Sequence, residues 1–287
     1  MKVKIIAHTE NPELVIATAA KLCYAGCNIE ELMQKQTPEG IEKFISMLEE
    51  MGHESPMEHV SFTFAIECVS RITEQQLTRH RIASYSIQSG RYVNRNNAEF
   101  YEPDAIKELE EAHEIYMDIV EHSKTAYEEL SEVLLKHSIR RFLVHELSLY
   151  TFETEDALLM KVMESEYKDE LRAFKKKAIE DARCAFLNSL ETKIICTMNV
   201  RTLLNFFKHR CCNRAQDEIR VLAKKMLKLV REIAPNLFRH AGASCISGIC
   251  PEGNMQCVQL RGKIPNNIQI KKLIKQYFTK EWIANNM

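Results

Sequence analysis

At 287 residues, of which 45% are hydrophobic, the chain is long enough to bury a substantial core as one large domain or two modest ones. Its 39 basic residues are balanced by 40 acidic ones, which excludes a protein that coats nucleic acid by bulk electrostatics, since such proteins carry a basic surplus. With no apolar run of bilayer-spanning length, and an opening MKVKIIAHTENPEL too polar for a signal peptide, the expectation is a cytoplasmic protein without a membrane segment and with 10 reduced cysteines.

KVKIIA at 2–7 predicts a first strand, and Asn11-Pro12-Glu13 a helix start running to about Tyr24, because proline at the first helical position loses no needed donor. Thr37-Pro38-Glu39 repeats that signal, and Gly52 closes the second helix behind an apolar face of Ile41, Phe44, Ile45 and Leu48. Alternation of Val60, Phe62, Phe64, Ile66 and Cys68 predicts the clearest strand. Ser70 then caps a helix predicted over 71–81, with Gln76 and His80 on one face and Arg79 one turn beyond Gln76.

From Asp104 to about Lys136 the pattern is helical and strongly charged, and helical signals continue with breaks to Leu187; a helical insertion is placed at about 104–165. ETKIICTM at 191–198 suits a buried strand, and Asn199 caps a helix carrying Arg201, Asn205 and His209 at four-residue spacing. Asn213 or Arg214 opens a last amphipathic helix that Pro235 ends. Beyond it the texture changes, dividing a catalytic domain at 1–240 from a cysteine-containing extension at 241–287.

The segment RHRIASYSIQSGRY at 79–92 gathers Arg79, His80, Arg81 and Arg91, a cluster that repels itself unless an anion sits among it. Arginine forks match phosphate or carboxylate oxygens, and Ser86, Ser89 and the amides around Gly90 add donors. A phosphate clamp at a helix end is one reading; a solvated basic loop paired with surface carboxylates is the other. Ser89 has no neighbouring base to activate it as a nucleophile, which favours phosphate binding. His53, Glu58 and His59 fit no closed zinc spacing, and the gaps among His240, Cys245, Cys250 and Cys257 are irregular, so no metal is expected.

The same segment resembles the Arg-His-Arg signature of the flavin-dependent thymidylate synthases. Further matches fall in order: AAKLCY at 19–24, GHESPMEH at 52–59, DAR at 181–183, NVRTLLNF at 199–206, Arg210 and Ala215-Gln216. The resemblance covers roughly 1–100 and 180–235. It implies an α+β fold with a central, mostly antiparallel sheet and packed helices, assembled as a homotetramer with shared active sites. It implies FAD held by Cys23, Ser55, Glu58, Arg79, His80, Arg81, Ile82, Asn199, Arg201, Asn205 and Arg214. Gln76, Arg79, Gln88, Ser89, Gly90, Arg91, Arg183 and Arg210 would bind dUMP, with Arg210 beside the uracil ring and His53 near the flavin and folate as a second catalytic candidate. Methylenetetrahydrofolate would donate the carbon and NADPH would recharge the flavin.

This chain departs from the family pattern at Ser86 (commonly Asn), Ile87 (often acidic), Arg214 (His in some members) and Phe186-Leu187 (usually Leu-Pro). Those changes leave open a flavin- or nucleotide-binding relative without methylation activity. Arg183 and Glu180, three apart, could instead form a surface ion pair.

Overall fold

The computed structural model describes residues 1–89, 98–145, 155–246 and 250–257. Its centre is an antiparallel sheet of β1 (Lys2–His8), β2 (Ser61–Ser70), β3 (Ser84–Ile87) and β4 (Glu191–Asn199), in the order β1-β2-β4-β3. In the central pair Phe62 lies opposite Met198, Phe64 opposite Cys196 and Ile66 opposite Ile194, all buried on one face. The period-2 alternation thus puts Thr63, Ala65 and Glu67, with Lys193, Ile195 and Thr197, on the other face, where the Thr63 and Thr197 hydroxyls hydrogen-bond at 2.9 Å. A bulge between Ile66 and Val69, with Cys68 at φ 57°, bends β2 just before its last residues.

Helices follow in chain order: α1 (Pro12–Leu22), α2 (Ile29–Gln34), α3 (Pro38–Glu50), α4 (Arg71–Leu77), α5 (Asp104–Lys107), α6 (Glu110–His145), α7 (Asp156–Glu166), α8 (Lys168–Ala182), α9 (Val200–Arg210) and α10 (Asp217–Ile233). The expected caps form: the side chains of Thr37, Ser70 and Asn199 accept from the amides of Gly40, Thr73 and Thr202 at 3.1, 3.1 and 2.8 Å. Gly52, at φ 67°, lets the His53 amide turn back to the Leu48 carbonyl at 2.9 Å, ending α3. Helix α10 buries Ile219, Leu222, Ala223, Met226, Leu227 and Val230, joining Phe206 and Phe207 of α9 in the main core.

Several expectations shift. Helix α4 stops at Leu77, not at residue 81, because the Thr78 hydroxyl donates back to the Glu74 carbonyl and the Tyr85 hydroxyl donates to the carbonyls of Leu77 (2.9 Å) and His80 (2.8 Å). His80 and Arg81 therefore sit in a turn, and SYSI at 84–87, read as loop, is strand β3. Helix α1 ends at Leu22, short of Tyr24, and α10 begins at Asp217 rather than at 213 or 214. As read, helices continue through the region toward Leu187: α6, α7 and α8 share a second apolar cluster of Ile139, Leu143, Leu159, Met163 and Leu171. It is tied to the rest by Ser123, whose hydroxyl donates to the Ala185 carbonyl, and by Tyr127, which stacks on Phe186 at 4.3 Å. That stacking gives the unusual Phe186 a packing role. Beyond residue 240, Ala241 and Ala243 are still buried in the main core.

A buried polar contact joins two helices. The Glu218 carboxylate, at the start of α10, accepts from the Ser70 amide (2.7 Å) and from the Ser70 hydroxyl (2.5 Å), locking α10 to the start of α4. Ser70→Ala removes the α4 cap and one donor from a buried carboxylate; we expect a loss of about 1–3 kcal/mol, read as a lower thermal or urea midpoint with secondary structure retained.

Candidate functional site

Two short polypeptide ends meet beside the sheet: the turn after α4 and the last turn of α9. The first is fixed from within by Tyr85, as above, and from α9 by Thr202, whose hydroxyl donates to the Ile82 carbonyl at 2.9 Å. The second carries Lys208, His209 and Arg210, basic residues of the kind that the negative end of the helix dipole favours. A cavity of about 640 Å³ opens between them, lined among others by Arg79, His80, Asn205, Lys208, Arg210 and Arg214.

Arg210 is held at two points. Its Nε donates to His80 Nε2 at 3.1 Å and its Nη2 to the Gln76 carbonyl at 3.4 Å. The His80 ring meets Phe206 edge-on at 5.0 Å. Burial, then the nearby charges of Arg210 and His209, push the His80 imidazole down to about 4, so it is neutral at physiological pH. Arg210 is itself lowered by burial and by Arg79. Among the described residues no carboxylate stands within ion-pair distance of Arg79, Lys208 or Arg210.

Two more of the arginines expected at a flavin, Arg201 and Arg214, are paired. Arg201 donates to Glu54 (3.1 Å) and Glu58 (2.5 Å), carboxylates on the 3-10 turn at Ser55–His59 and just before it. Hydrogen bonds from Arg201 to these groups raise its affinity for the proton. Arg214 donates to the Glu252 carboxylate at 2.5 Å and to the Met255 carbonyl at 3.1 Å, so residues 250–257 form a wall of the cavity.

Five residues expected from the sequence thus converge on one cavity: Arg79, His80, Asn205, Arg210 and Arg214. Gln76 reaches it through its carbonyl, and its side chain donates to Gln216. Glu58 and Arg201 meet as an ion pair, and Asn199 caps α9. His53 and Ser55 are exposed near the end of α3, Cys23 at the end of α1, Arg183 at the end of α8, and Arg81 and Ile82 on the turn after α4. Gln88 lines a different cavity, of about 840 Å³, on the open face of the sheet. Ser89 follows Gln88 and is half-buried, while Gly90 and Arg91 lie outside the described residues.

Lys208, Cys212, Cys245, Cys250, Glu252 and Cys257 also line the arginine cavity and were not expected there. Basic residues closing a capped helix were a usable signal for Lys208; the cysteines carry no periodicity that announces their position. Among the described residues no group of three or more His, Cys, Asp or Glu side chains is arranged to hold a metal.

Comparison with known proteins shows the family. Residues 4–236 match the family model for "Thymidylate synthase complementing protein". The chain is 47% identical over 257 residues to a flavin-dependent thymidylate synthase from Clostridium tetani, covering 90% of this chain and 93% of the relative. A protein of the same name from Geobacter sulfurreducens is 39% identical over 259 residues (90% and 94%), and one from Pyrococcus furiosus 33% identical over 264 (89% and 91%).

The depressed His80 affinity makes a pH prediction. The unfolded imidazole protonates near 6.5 and the folded one near 4, so the unfolded chain binds more protons between these values. His80 therefore contributes stability that is full above 6.5 and is lost as the pH falls toward 4. Thermal midpoints of the parent and of His80→Gln, compared from pH 8 to 4, should show a shallower acid decline in the variant.

Proposed function

Since the chain belongs to the flavin-dependent thymidylate synthase family, we propose that it converts dUMP to dTMP by reductive methylation, with methylenetetrahydrofolate as the carbon donor. FAD, when bound and reduced by NADPH, supplies the hydride that completes the methyl group. The residues present suit anionic ligands of this kind. Arg79, Lys208 and Arg210 share a cavity without an ion-pair partner among the described residues, whereas neighbouring Arg201 and Arg214 are both paired. Holding the partly buried Arg210 beside the exposed cations Arg79 and Lys208 without counter-charge is unfavourable, and a phosphate or a uracil oxygen offsets that cost. This is the observation that carries the reading.

In the proposed arrangement Arg79, Asn205 and Arg214 hold FAD. Arg210 lies beside the uracil ring and stabilises negative charge developing on its oxygens, an effect strengthened where water is excluded. Ser89, Gly90, Arg91 and Arg183 hold the nucleotide phosphate. Gln88 and Arg183 line no part of the Arg210 cavity within one chain, and a homotetramer whose sites are shared between subunits accounts for that separation. The chain acts in the cytoplasm in this reading. Loss of methylation, the second reading, rests on Ser86 and Ile87. Neither enters the Arg210 cavity: both line the cavity on the open sheet face beside Gln88, and Ile87 also packs against the main core.

Under low oxygen, so that reduced flavin does not lose electrons to O₂, the purified protein should form dTMP from dUMP, methylenetetrahydrofolate and NADPH. Arg210→Ala should lower turnover about 10²-fold, and unchanged turnover would remove its electrostatic role. Mixing inactive Arg183→Ala and Arg210→Ala subunits should restore part of the activity; no recovery after verified exchange would argue against shared sites.

A further inference from the structure

The arginine that the proposed reaction depends on faces a physical conflict. It must be held in one orientation, and the strongest way to hold a guanidinium is a carboxylate. A carboxylate would also neutralise the charge that the substrate needs. Elsewhere in this site the chain uses carboxylates freely, on Arg201 and Arg214. At Arg210 it uses an imidazole nitrogen and a backbone carbonyl.

We infer that His80 is a positioning residue, an uncharged hydrogen-bond acceptor that orients Arg210 while leaving its positive charge available to the pyrimidine. The inference rests on the proposed placement of Arg210 beside the uracil ring. A guanidinium can only donate, so the 3.1 Å contact from Arg210 Nε requires an unprotonated His80 Nε2. The imidazole is itself constrained. Its own carbonyl accepts from the Tyr85 hydroxyl, and its ring lies edge-on to Phe206, a fully buried residue one turn before Arg210 on α9. Helix α9 therefore supplies both the ring that steadies His80 and the guanidinium that His80 steadies.

The surroundings keep the acceptor neutral. Arg210 and His209 on α9 disfavour its protonation, as does burial; Arg79 on its own turn and Lys208 on α9 line the same cavity. Glu252, the carboxylate that lines the cavity, is engaged by Arg214. Protonation would turn His80 from acceptor into donor and set it against Arg210.

Three variants separate this role from flavin binding or general structure. His80→Gln keeps a neutral acceptor, His80→Glu supplies a charged one, and His80→Ala supplies none. We expect His80→Gln to retain kcat within about threefold, and the other two to lose about 10- to 100-fold in kcat with KM for dUMP changed less than about threefold. Turnover is compared at saturating FAD, and flavin absorbance per subunit is read alongside: a kcat loss that only tracks flavin loss would overturn the inference, since His80 would then act through the cofactor. Crystal structures should place the Arg210 guanidinium as in the parent in His80→Gln and His80→Glu, and displaced in His80→Ala. Arg210 unmoved in His80→Ala, or equal losses in all three variants, would overturn the inference. Should His80→Ala fail to fold, the contrast between His80→Gln and His80→Glu still decides: equal kcat in those two would overturn it. An Arg210→Ala control that turns over normally would defeat the proposed reaction chemistry, while the crystallographic comparison would still report on positioning.

Discussion

The constraint on which the rest of this structure depends is the crowding of like charge at the junction of α4 and α9. Arg79, Lys208 and Arg210 line one cavity without a carboxylate partner among the described residues, and the His80 affinity for a proton is lowered. Such a cluster works against the folded state in the absence of ligand. The free energy that holds it in place has to come from elsewhere, and it is visible in the neighbouring contacts. Phe206 and Phe207 fix α9 to the core, the buried Glu218–Ser70 contact fixes α4 to α10, and Tyr85 and Thr202 tie the intervening turn to strand and helix. Each tie uses a neutral donor or a partner outside the cavity, so the positive potential inside is not spent on structure.

Charge is handled differently at two neighbouring arginines. Arg201 and Arg214 are both exposed and both paired, and exposed pairs of this kind contribute little to stability. They are exchangeable: an incoming phosphate can displace Glu58 or Glu252 at low cost. Arg210 has the opposite character, partly buried, desolvated and oriented by neutral groups. The distinction fits a site in which some arginines bind and one polarises.

Much of this was legible in the sequence because the signals were local. Caps at Thr37, Ser70 and Asn199, the turn at Gly52 and the alternation through Phe62, Phe64 and Ile66 are set by a few adjacent residues, and all formed as read. Helix α4 was read too long because Thr78 is a weak local stop; the termination also takes Tyr85, on the next strand. Strand β3 was missed for a related reason. SYSI has only four residues and acquires its conformation by pairing with β4, more than a hundred residues on. At the site, the residue types for an anion were readable from RHR and Arg210, whereas the wall formed by residues 250–257 rests on Arg214–Glu252 and leaves no periodic trace.

The account comes down to a cavity whose cations are completed by an anionic nucleotide. The most direct measurement is the thermal midpoint of the purified protein titrated with dUMP and, in parallel, with deoxyuridine, which lacks only the phosphate. A ligand that binds the folded state alone raises the midpoint with concentration. The account predicts a saturating rise with dUMP that weakens with added salt, and a much smaller effect of deoxyuridine. Equal stabilisation by the two compounds, or none by dUMP, would contradict it.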